Sequence, residues 1–108
     1  VSIKVPGALE IPIAMQAALA TDKFDAAIAL GVVLRGDTYH FEVVSNESSA
    51  GVMRVGLDSG RVVTNGILTV DTQAQADERS VDGPGNEGAE AAEAALELLA
   101  VCDQLSTN

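Results

Sequence analysis

Three apolar, β-branched runs punctuate the chain: Val1–Val5, Ala26–Leu34 and Arg61–Val70. The second, Ala-Ala-Ile-Ala-Leu-Gly-Val-Val-Leu, is continuous rather than alternating, the pattern of a strand buried on both faces. Each run is followed by a stretch that reads as helix. Ile11–Ala20 is rich in helix formers and carries Pro12 in its first turn, where a missing N–H costs nothing. Asp37 or Thr38 is suited to cap a helix running to about Asp58, which Gly60 would end. Thr72 and Gln75 form a capping-box pair for a short helix towards Arg79. The loop Asp82-Gly83-Pro84-Gly85 then precedes a last helix from about Gly88 to Gln104. Ala92, Ala95, Leu96 and Leu99 share one side of it, fit to cover either a sheet face or a neighbouring subunit.

Strands alternating with helices at this spacing predict parallel strands joined by right-handed crossovers, an open α/β sheet with helices on both faces. In such sheets ligands bind outside the carboxyl ends of the strands. That rule nominates Pro6–Glu10, Arg35–His40 and the turn after Val70.

The 108 residues fit a single domain. The core must be built from Val, Leu, Ile and Ala, because aromatic residues make up only 3% of the chain. Sixteen acidic against six basic residues give a formal charge of −10, which disfavours nucleic acid and anionic membrane as partners. No apolar stretch is long enough to span a bilayer. The lone cysteine, Cys102, excludes an intrachain disulfide and a multi-cysteine metal site, and it fits a reducing, cytoplasmic setting. Near the end of a helix, with no second histidine to activate it, Cys102 reads as buried packing rather than a nucleophile. The chain starts at Val1 without an initiator Met, which suggests a fragment or a processed chain.

Three constellations carry candidate chemistry. In Arg35-Gly36-Asp37-Thr38-Tyr39-His40, backbone N–H groups at a helix start form a natural anion seat, and the only histidine lies in the helix's first turn. An imidazole suits a group that gives and takes protons near neutrality. The blander reading is a solvated cap beside a structural Arg35. In Pro6-Gly7-Ala8-Leu9-Glu10, small residues leave room for a flat ligand and Glu10 can accept from sugar-like hydroxyls. The alternative is a tight turn with Glu10 at the positive end of the next helix. Arg79, before the glycine loop, is fit to clamp a phosphate or simply to balance Asp77 and Glu78. Glu42, Glu47, Glu90, Glu93 and Glu97 read as solvated helix faces. No phosphate-binding loop of the Gly-x-x-x-x-Gly-Lys type, dinucleotide fingerprint or zinc spacing occurs.

Four segments, in order, resemble the lumazine synthase family: Val5-Pro6-Gly7-Ala8-Leu9-Glu10-Ile11-Pro12, Leu34-Arg35-Gly36-Asp37-Thr38-Tyr39-His40-Phe41 with Asn46-Glu47 following, Asn65-Gly66-Ile67-Leu68-Thr69, and Arg79 with Gly85-Asn86-Glu87-Gly88-Ala89-Glu90-Ala91-Ala92. The resemblance implies a flavodoxin-like fold and an enzyme that works without cofactor or metal. It would condense 5-amino-6-(ribitylamino)uracil with 3,4-dihydroxy-2-butanone 4-phosphate to 6,7-dimethyl-8-ribityllumazine. It further implies His40 as the proton-transfer residue, with Arg79 and the backbone of Gly36, Asp37 and Thr38 on the phosphate. Glu10 would hold the ribityl hydroxyls beside Ala8 and Leu9, and Val33 and Leu34 would meet the uracil through main chain. Asn65 and Glu87 would stand near the ring, Asn65 from an adjacent subunit. Sites would lie between the subunits of a pentamer or its multiples, with riboflavin synthase as a possible partner. Glu87 stands where the family commonly carries Lys. The family's first β-α unit is missing from this sequence, which is expected to leave apolar strand edges uncovered. The competing reading is a non-catalytic shell or a lumazine- or flavin-binding protein on the same fold.

Overall fold

The computed structural model describes residues 1–107. Two parallel strands, β1 (Ala26–Leu34) and β2 (Val62–Val70), pair from Ala26↔Val62 to Leu34↔Val70. A 3₁₀ turn at Ala8–Glu10 leads into α1 (Ile11–Ala20), and α2 (His40–Ser59) crosses from β1 to β2. After β2 come α3 (Gln73–Glu78) and α4 (Glu87–Ser106). No helix among the described residues is long and apolar enough to cross a membrane.

Helices cover both faces of the sheet. The odd-numbered side of the strands buries Ala29, Val33 and Ile67 against Ile11, Met15 and Leu19 of α1 and Val52 and Val55 of α2. This is the main core. On the even-numbered side, α4 lies along β2: Thr64 Oγ1 donates to the Ala91 carbonyl at 2.8 Å, and a Cβ at Gly66 would sit 3.2 Å from that of Ala91. Ala91 and Ala95 are buried there, while Leu96 faces outward, so the helix side expected to be uniform is split. Leu68 and Val70 pack on Ala76 of α3.

The local signals set the helix ends. Pro12 lies in the first turn of α1. The Thr72–Gln75 capping box is complete, with both reciprocal hydrogen bonds made. Gly60 ends α2 with φ of 68°, in the left-handed region that favours glycine. The start of α2 differs from expectation: its cap is Tyr39, not Asp37 or Thr38. Thr38 still accepts, through Oγ1, from His40 N–H at 3.3 Å. The turn spends one or two more residues leaving the sheet than the cap preference alone suggests.

Two expectations fail at one place. Val1–Val5 forms no strand, and four of its five residues are exposed. Among the described residues no backbone hydrogen bond ties it to the free edge of β1. A strand needs a ladder, and an apolar groove of about 750 Å³ lies between this segment and β1. Nor is β1 buried on both faces: Ile28, Leu30, Val32 and Leu34 stay exposed because α4 sits over β2 rather than over them. Cys102, expected in packing, is exposed on α4. Residues 101–107, the described residues at the end of α4, are all exposed.

Close approach of α1 and α2 depends on a glycine. A Cβ at Gly51 would come within 2.6 Å of Pro12 Cγ and 2.9 Å of its Cβ, and the proline ring cannot swing aside. Gly51→Ala gains about 1 kcal/mol of helix propensity, yet overpacking costs about 1–3 kcal/mol. The expected outcome is a net loss of up to about 2 kcal/mol in urea unfolding; a more stable variant would show that the helices can part freely.

Candidate active site

The site is organised where both strands end. Arg35 N–H donates to the Val70 carbonyl at 2.9 Å, carrying the ladder one residue beyond β1. Its guanidinium then reaches both neighbouring elements. Nε donates to Asp71 Oδ1 at 2.6 Å, just past β2, and Nη1 donates to Glu42 Oε1 at 2.6 Å, in the first turn of α2. The guanidinium also stacks on Phe41, 4.4 Å from the ring centroid. One side chain thus fastens the ends of β1, β2 and the start of α2.

This network corrects one sequence reading. Glu42 is not merely a solvated face; it anchors Arg35. The hydrogen bonds it donates to Asp71 and Glu42 raise the Arg35 pKa above its ordinary value. The Arg35 hydrogen bond, ahead of a backbone hydrogen bond, holds Glu42 below the usual carboxylate range. With two carboxylates already on it, Arg35 is structural rather than a free anion receptor. The signal that would have found the network is non-local, since Arg35 and Asp71 lie 36 residues apart.

The braced turn presents Gly36, Asp37, Thr38 and His40, all exposed. Among the described residues no protein group accepts from the N–H of Gly36, Asp37 or Thr38. A Cβ built at Gly36 meets nothing within 4 Å, so the space beside the turn is open. Unpaired amides at the opening of a twenty-residue helix make an anion-accepting surface beside an imidazole.

The other predicted residues sit in separate places. Glu10 is tied to its own turn, its N–H donating to the Gly7 carbonyl at 3.1 Å, with its carboxylate beside Gly7. Ala8 is half-buried and Leu9 exposed in the same turn. Val33 buries its side chain in the core, leaving only main chain to offer a ligand, and Leu34 next to it is exposed. Asn65 lies on β2, where its amide donates to Ser49 Oγ at 3.2 Å and accepts from Ile67 N–H at 2.8 Å. Arg79 follows α3, with Nη1 donating to the Gln75 carbonyl at 3.0 Å and Nε 3.7 Å from Glu87 Oε1. No hydrogen bond or ion pair among the described residues joins Arg79 to the turn at residues 35–40.

The Glu42–Arg35 contact has a pH signature. Because the folded-state pKa of Glu42 is depressed, its contribution is present above the unfolded carboxylate value and is lost as pH falls through the lower folded one. In a carbon-13 NMR titration, the Glu42 carboxyl is expected to titrate below an unperturbed glutamate and to move up in Arg35→Met. A wild-type midpoint that does not move in Arg35→Met would remove the brace.

Comparison with known proteins covers nearly the whole chain. A family model described as 6,7-dimethyl-8-ribityllumazine synthase matches residues 1–103. Curated proteins of that name are similar: the one from Cupriavidus necator is 53% identical over 103 residues, covering 95% of this chain and 61% of the relative. That from Ralstonia pickettii is 50% identical, with 95% and 60% covered. In Sphingopyxis alaskensis the figures are 52%, 95% and 72%. The chain spans about three-fifths of the length of the first of these relatives. By these matches, and with the strand-end turn that carries its histidine, the chain belongs to the 6,7-dimethyl-8-ribityllumazine synthase family.

Proposed function

We propose that this protein condenses 5-amino-6-(ribitylamino)uracil with 3,4-dihydroxy-2-butanone 4-phosphate, releasing 6,7-dimethyl-8-ribityllumazine, phosphate and two water molecules in riboflavin biosynthesis. The observation that carries this reading is the braced turn, with unpartnered amides at Gly36–Thr38 one step from His40. The amine attacks the ketone and loses water to form an imine, phosphate is eliminated, and the second amine closes the ring with loss of a second water. His40 moves the protons. The amides of Gly36, Asp37 and Thr38 hold the phosphate, and Arg79 supplies positive charge where the leaving group becomes negative. Glu10 accepts from the ribityl hydroxyls, Ala8 and Leu9 line that side, and the main chain of Val33 and Leu34 positions the uracil. Much of the acceleration comes from holding two substrates in register.

The reading includes a homo-oligomer in which neighbouring copies complete each site, in keeping with the lack of any hydrogen bond or ion pair between Arg79 and the His40 turn among the described residues. Asn65, Glu87 and Arg79 are the residues a neighbour would contribute. Exposed Ile13, Leu57, Leu96 and Leu105 supply apolar surface for such contacts. A pentamer, its multiples or a closed shell fits this reading, in a cytoplasmic setting suited to the single cysteine. Riboflavin synthase, which would consume the product, is the natural partner.

The test is lumazine formation followed by absorbance with both substrates present. Assembled protein is expected to turn over; binding of lumazine or flavin without turnover would favour a ligand-binding protein, and inert large particles a shell. His40→Ala is expected to lower turnover by roughly ten- to several-hundred-fold, the smaller loss reflecting positioning that survives. An assembled variant with wild-type turnover would sink the proton-transfer role. Arg79→Ala is expected to raise KM for the phosphorylated substrate about tenfold or more, with KM for the aminouracil little changed.

A further inference from the structure

The carboxylate beside Arg79 stands out when the arginines are compared. Arg35 lies 2.6 Å from each of its two carboxylates, Arg61 lies 2.7 Å from Asp22, and Arg54 lies 3.3 Å from Asp58. Arg79 makes looser pairs, 3.7 Å to Glu78 Oε2 and 3.7 Å to Glu87 Oε1. Its guanidinium donates a hydrogen bond to the Gln75 carbonyl, and neither flanking carboxylate is within hydrogen-bonding distance. The side chain is 39% exposed. It is held between two negative charges without being locked to either.

Backbone geometry builds this neighbourhood. Glu87 N–H donates to the Arg79 carbonyl at 3.0 Å, closing the intervening loop on itself. Gly83 and Gly85, at φ of 104° and 88°, make the reversal, since both lie in the left-handed region. Asn86 fixes it from inside: its amide donates to the Val81 carbonyl at 2.9 Å, and its oxygen accepts from Ala89 N–H at 2.8 Å. The same loop starts α4 and delivers the Glu87 carboxylate to the guanidinium. Their approach is therefore fixed by the fold rather than by two mobile side chains meeting at the surface.

We propose that Glu87 is an intramolecular competitor for Arg79 that sets the affinity for the phosphorylated substrate and for released phosphate. The proposal rests on the phosphate-clamp reading of Arg79. In the ligand-free protein the guanidinium faces Glu87; an incoming phosphate, with more charge and oxygens matched to paired N–H donors, displaces it. A half-exposed pair is weak, so the competition shifts affinity modestly instead of blocking the site. Glu87 trades tight binding of phosphate for its easier release as product. The family's usual lysine at this position would act in the opposite sense, adding attraction.

The test is a double-mutant cycle on the assembled protein, with inorganic phosphate titrated by calorimetry and as an inhibitor of turnover. Circular dichroism and light scattering check folding and assembly. Glu87→Gln is expected to tighten phosphate about two- to fivefold, and Arg79→Ala to weaken it. Glu87→Gln in the Arg79→Ala background is expected to change nothing. Glu87→Lys, expected to tighten it further, provides a second variant if Glu87→Gln assembles poorly. If Arg79→Ala weakens phosphate but neither Glu87 variant tightens it, the competition is overturned and the clamp stands. Equal tightening in both backgrounds also overturns it, because the effect would then be long-range charge. Unchanged phosphate binding in Arg79→Ala removes the clamp and the proposal with it.

Discussion

The hydrogen bond from Arg35 N–H to the Val70 carbonyl makes the two strands end in step, and the arrangement of the site follows from it. Once the ends are level, one guanidinium can reach a carboxylate just beyond β2 and another in the first turn of α2. These charge-assisted bonds are short and directional, so they fix an angle as well as a distance. The turn between Arg35 and His40 has little else to hold it. All of it is exposed, and the space beside Gly36 is open. Beyond the brace, the amides of Gly36, Asp37 and Thr38 meet no acceptor among the described residues.

The same chain leaves much of its surface unsatisfied. Its larger core lies between the odd face of the strands and α1 with α2, whereas the even face of β1 remains bare. Apolar groups left in water contribute nothing to stability and favour association. The bare face of β1 and the outer face of α4 therefore suit a structure completed by further polypeptide.

What could be read from the sequence was what depends on near neighbours. The capping box at Thr72 and Gln75, Pro12 in the first turn of α1 and Gly60 past the end of α2 all act within a few residues, and all are found. The parallel pairing of Ala26–Leu34 with the run ending at Val70 follows from alternation of strands and helices. Val1–Val5 shows the limit: its composition is that of a strand, but a strand exists only against a partner edge. Burial on both faces of β1 was misread for the same reason, since a continuous apolar run does not reveal whether a second layer is present. The Glu42 and Asp71 anchors were invisible because acidic residues are plentiful in this chain and nothing local marks those two. Of the candidate site, the motifs nominate residues, whereas the brace and the Glu87 contact depend on pairings between distant segments that no local pattern marks.

The central claim is that the braced turn seats the phosphate. Crystals of the assembled protein equilibrated with inorganic phosphate test it most directly. Density for phosphate is expected on the backbone amides of Gly36, Asp37 and Thr38, beside His40 and within reach of an Arg79 guanidinium. Phosphate bound elsewhere, with those amides still open to solvent, would contradict the account.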